Sequence, residues 1–593
     1  MPVLDWIGKK AVVKHHNEVP FHLLQSMPEL NFGDSSAGNL VVQGDNLLVL
    51  KALLPYYAQQ VKCIYIDPPY NTGKENWVYN DNVNSPEIKE WLGRVVGDEA
   101  TDLSRHDKWL CMMYPRLRLL RDFLREDGVI MISIDDFEVF HLRVLLNEIF
   151  GPQNFIAQLV WDKTRKNDAK LFSVGHEYIL VYAKSLSTLR KLSTVWREQK
   201  PGAADIVAKW KELRTIHSED FAAMEAALSE WYRELPRTHP AKKLSRYKHI
   251  DHWGPWRDRD ISWPGGGGPR YDVLHPVTGE VCLVPEAGWR FATIETMQDQ
   301  IAKGLVVFRD DHTEPPFRKA HLLPIPEETD VPESEEQDEL DEESEELAGL
   351  QVMPSVIFKQ AQVAVKTLRN IFDGRKVFQN PKDHEVIMRL IRYCTGPDDI
   401  ILDAFAGSGT TGHAVMALNR LEQGKRRCLL IEMDDNIFRN VTHERLRKVS
   451  EGYSYTKSRG GREEVAGLAS GFAAAKLGDT LFSSNGKIRD SVTFQDLARH
   501  VFFAETGCPW PGQETPGAFL GAANDVAVYL LYNGILRDVD PENGNVLTTA
   551  LLAKLPRHDG AKTIYGTACL ISEDRLRQQG ITFRQIPYKV RVN

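Results

Sequence analysis

Two short stretches of this 593-residue chain carry residues whose types and order could do chemistry. The first is Asp67-Pro68-Pro69-Tyr70, directly behind the apolar run 61–66. An exocyclic amino group on a heterocycle shares its lone pair with the ring, so it is a poor nucleophile. A carboxylate and a backbone carbonyl accepting its two N–H bonds would favour a pyramidal nitrogen and expose that lone pair. Asp67 can supply the carboxylate and Pro68 the carbonyl. Proline fixes φ and removes competing donors. Tyr70 can stack on a base taken out of a duplex, a contact worth about 1–3 kcal/mol. The rate enhancement would then come mostly from positioning and electrostatics. A plain β-turn explains the same four residues, because Asp and Pro favour turns.

The second stretch is Asp403-Ala404-Phe405-Ala406-Gly407-Ser408-Gly409-Thr410-Thr411, between a strand and a helix. Glycines there permit a tight turn and let a ligand touch backbone. The helix N-terminus offers N–H groups to an anion. That anion would be pyrophosphate in a dinucleotide enzyme and could be a carboxylate here. The spacing is not GxGxxG, and no lysine follows as in a phosphate loop. Glu432 ends the next strand, where an acidic side chain can accept hydrogen bonds from ribose hydroxyls. Either feature alone fits a structural turn and an ordinary acidic residue. Together in one βαβ unit they favour a nucleoside-containing ligand, which in turn favours the chemical reading of residues 67–70.

The elements that must position these stretches follow from hydrophobic patterning. Residues 61–66, 129–134, 156–161, 178–183, 400–405 and 428–433 read as buried strands. Helical spacing predicts helices over 104–126, 135–150, 383–394, 410–422 and 435–449, with Asp127-Gly128 ending the first. Strands alternating with helices imply an α/β fold with a parallel, doubly wound sheet.

Between the two halves the chain changes character. A polar helical stretch over about 203–236 leads into a segment dense in Trp, Gly, Pro and basic residues, including Trp253, Trp256, Trp263, the glycine run 265–268 and Trp289. Lys242, Lys243, Arg246, Lys248, Arg257, Arg259 and Arg270 lie among these aromatics. Such residues neutralise phosphates, and arginine can read guanine; a solvated surface over a small tryptophan core would look the same residue by residue. Taken as a segment, DNA contact is favoured. His249 and His252 lack an evident third metal ligand, so no metal is expected. Residues 327–346 hold thirteen Asp or Glu and no Lys or Arg; without them the net charge of −9 becomes +4. That run reads as a solvated spacer, and the global charge neither supports nor excludes nucleic acid. The seven cysteines form no CxxC pair, which fits a reduced cytoplasm. No run of about 18 apolar residues marks a membrane span, and the N-terminus lacks the apolar core of a secretory signal.

The motif at 67–70 and the loop Phe405-Ala406-Gly407-Ser408-Gly409-Thr410-Thr411 resemble the two signatures of amino-DNA methyltransferases. Their order, catalytic motif first and cofactor motif last, resembles the β class. The resemblance implies a Rossmann-like, seven-stranded sheet, S-adenosyl-L-methionine as cofactor, and N6 of adenine as acceptor. Gly44-Asp45-Asn46-Leu47 resembles the segment whose acidic residue lies near the cofactor adenine, implying a contact for Asp45. Phe378-Gln379-Asn380-Pro381-Lys382-Asp383 resembles a Phe-x-x-Pro-Lys-Pro segment at the methionine end, implying Lys382, although Asp383 stands where proline is usual. More narrowly, the insert with Thr278-Gly279 and Gly288-Trp289-Arg290, and the tail 490–507, resemble the modification (Mod) subunits of type III restriction-modification systems.

The resemblance divides the chain into a catalytic half (1–184), a target recognition insert (185–325), an acidic linker (326–350), a cofactor-binding half (351–450) and a mixed C-terminal domain for dimer or partner contacts (451–593). It implies double-stranded DNA as substrate, a homodimer, an ATP-dependent restriction (Res) subunit as a possible partner, and the cytoplasm of a prokaryotic cell. No GxxxxGK[ST] loop is present, so DNA translocation is not expected of this chain. Two alternatives stay open at this point: methylation of cytosine N4 by the same chemistry, where Ser is commoner at the position of Asp67, and a DNA-recognition subunit that mainly delivers a nuclease.

Overall fold

A computed structural model describes the chain except residues 1–3, 35–36, 72–103, 164–170, 326–348, 458–459, 484–487, 490, 513–516, 533–539, 541, 543 and 587–593. The acidic run therefore lies outside the described residues. The chain divides into two compact units, 1–194 with 354–593, and 195–353.

The larger unit is built on the apolar strands read from the sequence. Its centre is the pair Val61–Ile66 and Ile400–Asp403, parallel and adjacent, with Leu402 opposite Ile64. From Ile400–Asp403 the chain passes through the helix Thr410–Glu422 to Arg427–Glu432 on one side. From Val61–Ile66 it reaches Leu124–Ile134 on the other side. The two halves thus diverge at this pair, a topological switch point where ligands bind beyond the strand carboxyl ends. Asp67 and Asp403 both stand at those ends.

Seven strands in the order Leu40–Gln43, Arg427–Glu432, Ile400–Asp403, Val61–Ile66, Leu124–Ile134, His176–Ala183 and Phe155–Asp162 form the expected sheet. It is widened to ten strands by Ala473–Thr480 and His22–Ser26 at one edge and Val356–Phe358 at the other. The sheet is also not wholly parallel, because His176–Ala183 runs antiparallel to both neighbours. Buried strands are apolar along their whole length whichever way they run, so patterning could not reveal this direction. The helix predicted over 104–126 spans Arg105–Phe123, and Leu124 already pairs with Val61 as strand. The helix predicted over 435–449 is interrupted by a π-helical turn, Phe438–His443.

The core beneath the sheet includes Leu50, Leu53, Trp109, Met113, Leu117, Leu120, Ile132 and Leu145. The tail adds a four-stranded sheet, Phe519–Ala523, Val526–Leu530, Ala561–Gly566 and Ile581–Gln585, packed on the helix Phe494–Thr506. In the smaller unit the helices Ala203–His217 and Phe221–Glu234 bury Ile206, Trp210, Met224 and Leu228 in one cluster. A second cluster gathers around Trp289, Cys282 and Met297. Gly288 there has φ 86°, and a Cβ would lie 2.4 Å from the Gly268 backbone. Close backbone packing, rather than flexibility alone, therefore accounts for the last glycine of the run. Among the described residues no helix is long and apolar enough to cross a membrane.

Gly412 packs the helix Thr410–Glu422 onto the sheet: a Cβ there would meet Leu430 and Leu446 at 2.7 Å. Gly412→Val is expected to lower the unfolding free energy by about 1–3 kcal/mol through overpacking, measured as a lower urea midpoint at unchanged slope.

Candidate active site

Asp67 leaves the strand Val61–Ile66 with its carboxylate divided between two environments. Oδ2 lies 2.7 Å from Lys382 Nζ. Oδ1 is buried and accepts no hydrogen bond among the described residues. The turn behind it is anchored from below, where the indole N–H of fully buried Trp109 donates to the Pro69 carbonyl at 2.7 Å. The Tyr70 hydroxyl donates to Glu177 Oε2 at 3.1 Å, and Lys382 Nζ sits 4.9 Å from the centre of the Tyr70 ring. Burial, with the carboxylates of Asp67 and Glu177 nearby, pushes the Tyr70 phenol well above its usual range, so it stays a donor.

Glu177 is the hub of this cluster, and sequence reasoning missed it. It is buried, forms an ion pair with Lys163, and lies 3.7 Å from Lys382. Burial pushes its carboxyl up, but the two ammonium groups pull it down further, so the net direction is below the usual range. Burial lowers the Lys163 ammonium to about 8 against the opposing pull of Glu177. The available signal was a glutamate directly before the apolar run 178–183 in the strand His176–Ala183. Buried charges are paired, so a carboxylate there demands cations.

The glycine loop adjoins this cluster. Gly407 and Gly409 have φ of 52° and 76°, the left-handed region. A Cβ on Gly409 would lie 3.3 Å from Thr442. The π-helical turn brings Thr442 here, and its hydroxyl donates to the Gly407 carbonyl at 2.6 Å. Ser408 and Thr410 both accept from the buried Arg445 guanidinium, at 3.0 and 2.8 Å. Ala406 N donates to the Ile431 carbonyl at 2.9 Å, so the loop is tied to the neighbouring strand. Asp403 accepts from Phe405 N at 2.9 Å and from the Thr411 hydroxyl at 2.5 Å. Burial raises its carboxyl to about 7 despite these donors.

Glu432 accepts from Gly407 N and from Asp434 N, each at 2.9 Å. Both oxygens are held, and each retains acceptor capacity for a hydroxyl. Asp45 belongs to the same neighbourhood. Gly44 N donates to the Glu432 carbonyl at 3.0 Å, and Asn46 donates to the Ala404 carbonyl at 2.9 Å. Asp45 itself caps the helix Asn46–Tyr57 and pairs with Arg116 at 3.2 Å. Asp383, the departure from the proline pattern, caps the helix His384–Cys394 by accepting from Glu385 N and Val386 N, which explains why a polar residue serves at that position.

The loop, Glu432 and Asp45 thus stand together at neighbouring strand ends, beside the strand that leads to Asp67. A ligand with a ribose, a cationic sulfonium and an amino-acid end fits such a donor set: Glu432 and Asp45 offer acceptors, the glycines leave room at the backbone, and Asp67 Oδ1 is an acceptor without a donor.

The arginines expected to contact DNA, Arg257, Arg259 and Arg270, lie in the smaller unit. Arg257 and Arg259 sit on the strand Gly254–Arg259, opposite Ala320 and Arg318. The Arg257 guanidinium is 5.6 Å from the Tyr247 ring centre. Arg270 donates to the Glu286 carbonyl at 2.5 Å. His249 stacks on Trp256, ring centres 4.6 Å apart.

Residues 61–443, which include both motifs and the insert, match the DNA methylase family. The chain belongs to that family. It is 32% identical over 521 residues to the type III restriction-modification enzyme EcoP15I Mod subunit of Escherichia coli, covering 84% of this chain and 74% of that one. It is 30% identical over 526 residues to the EcoPI Mod subunit of Escherichia phage P1, with the same coverage. The type II methyltransferase M.KpnI of Klebsiella pneumoniae is 29% identical over 434 residues, 68% of this chain and 82% of that one. A solved M1.HpyAVI–SAM complex aligns at TM-score 0.28 and 12% identity, over 69% of this chain and 98% of that one. The chain is thus a Mod-like DNA methylase.

Two outcomes follow. Glu177→Gln leaves Lys163 and Lys382 without their shared counter-charge and weakens the bond to Tyr70. The methyl-transfer kcat is expected to fall about 10- to 100-fold, with donor affinity unchanged, in steady-state assays. Asp403 binds its proton more tightly folded than unfolded, so its contribution to stability is lost as pH rises through about 7. The melting temperature of wild type should therefore drop more between pH 5.5 and 8.5 than that of Asp403→Asn.

Proposed function

We propose that Asp67, Pro68, Pro69 and Tyr70 hold a flipped adenine for methylation of its N6. The observation that carries this reading is the buried Oδ1 of Asp67, which accepts no hydrogen bond among the described residues, in the cluster where Lys382 joins Asp67 to the Tyr70 ring. Lys382 holds the other oxygen, so Oδ1 stays aimed at an incoming N–H. The Pro68 carbonyl accepts the second N–H, and Tyr70 stacks on the base. The cofactor supplies a methyl group on a positively charged sulfur. Asp403, Phe405, Ala406, Gly407, Ser408, Gly409 and Thr410 form its cradle, Glu432 accepts from its ribose, and Asp45 lies at its adenine end. Lys382 serves the acceptor carboxylate rather than the methionine end.

The wider assignment is to a type III-like restriction-modification system. Identity to the EcoP15I and EcoPI Mod subunits over 84% of the chain supports it. The unit 195–353 reads the DNA sequence, with Arg257, Arg259 and Arg270 contributing, two copies of the chain pair, and an ATP-dependent Res subunit joins them. The aromatic and basic content of that unit supports the reading.

Nucleoside mass spectrometry on DNA from cells expressing wild type or Asp67→Ala tests the proposal. N6-methyladenine is expected only with wild type. N4-methylcytosine would overturn the base assignment, and N6-methyladenine from Asp67→Ala would remove Asp67 from the chemistry.

A further inference from the structure

A second polar cluster stands beside the catalytic turn, and methyl transfer does not use it. Asn71 follows Tyr70 with φ 58°. Its amide donates to Glu138 Oε1 at 2.5 Å and to the Arg105 carbonyl at 3.1 Å. Glu138 is fully buried at the N-cap of the helix Val139–Phe150. His106 Nδ1 is hydrogen-bonded to Glu138 Oε1 at 2.7 Å, and His141 Nδ1 lies 3.0 Å from Oε2. The two imidazole centres are 4.8 Å apart.

Two of these atoms are left over. Glu138 Oε2 and His141 Nδ1 are buried, yet neither makes a hydrogen bond among the described residues, despite their 3.0 Å separation. Close approach without hydrogen-bond geometry is what two ligands of one ion show. A fully buried carboxylate also needs a cation. The Arg105 guanidinium lies over the Phe137 ring, 5.4 Å from its centre.

We infer that His106, Glu138 and His141 bind a first-row divalent cation of the zinc type. Their three ligating atoms lie within 4.8 Å of one another. Two imidazoles and a carboxylate suit zinc, which takes such donors at about 2.0–2.2 Å in tetrahedral geometry; small side-chain adjustments bring all three to one ion. The histidine side chains are 38% and 27% exposed, which provides an entry path and leaves a fourth position for water. The Asn71 amide fixes the carboxylate from behind, the role that outer hydrogen bonds play around metal ligands. The ion would join the first turns of the helices Arg105–Phe123 and Val139–Phe150 and, through Asn71, steady the residue after Tyr70. The ligands lie 32 and 3 positions apart in sequence, so the expectation of no metal, drawn from His249 and His252, never considered them. The inference stands independently of the base that is methylated.

Zinc binding to the chelator-stripped full chain tests it, by competition with a chromophoric chelator and by the visible spectrum of added Co²⁺. One zinc per chain is expected, with a Co²⁺ spectrum typical of a tetrahedral nitrogen and oxygen site. The partly exposed pair His106→Ala/His141→Ala should keep the circular dichroism of wild type, lose the cobalt band and bind zinc about 100-fold or more weakly. Glu138→Gln should lose the ion likewise. Zinc uptake well below one per chain would overturn the inference and leave imidazolium as the partner of Glu138. Unchanged uptake by the double histidine variant would place the ion elsewhere and overturn it equally.

Discussion

The parallel pairing of Val61–Ile66 with Ile400–Asp403 is the constraint on which the rest depends. It joins strands more than three hundred residues apart and sets their carboxyl ends side by side. The turn Asp67–Tyr70 leaves one strand and the glycine loop leaves the other. A shift of one residue in register would turn every side chain of a strand to the opposite face, so the buried residues on both faces hold the two motifs in place together. Edge strands, helices and tail build outward from this pair.

Electrostatics then completes what pairing begins. Asp67, Glu177, Lys163, Lys382 and Tyr70 form one partly buried network in which each carboxylate has an ammonium partner. Desolvating these charges is unfavourable unless every one is paired. The network is therefore rigid in composition as well as position: removing one member strands its neighbours. Two acceptors of the network, Asp67 Oδ1 and Glu177 Oε1, are buried without a hydrogen bond among the described residues. Around the glycine loop, Glu432 accepts from two backbone N–H groups and the Arg445 guanidinium braces Ser408 and Thr410.

Much of this was legible from residue order. The strand cores at 61–66, 129–134, 178–183, 400–403 and 428–432 were visible because buried strands are apolar and bounded by turn residues. The glycine loop was visible because left-handed backbone favours glycine, and Gly407 and Gly409 adopt it. The start of Leu124–Ile134 was read as helix because Leu124 continues the helical spacing of Leu117 and Leu120, and only its partner Val61 makes it strand. Asp45 was singled out by resemblance, and its local duty as a helix cap comes from the structure.

The sequence by itself determined which residues could activate an amino group, where a nucleoside could be cradled, and that strands and helices alternate around them. These are local properties, set by side-chain chemistry and by patterns a few residues long. Tertiary structure alone decided that Lys382 reaches Asp67 across 315 positions, that Glu177 receives the Tyr70 hydroxyl, that Trp109 supports the turn, and that His106 meets Glu138 and His141. Those meetings depend on sheet order, strand direction and burial. The free energy behind them is the joint burial of distant apolar segments, and no short window of sequence contains both partners.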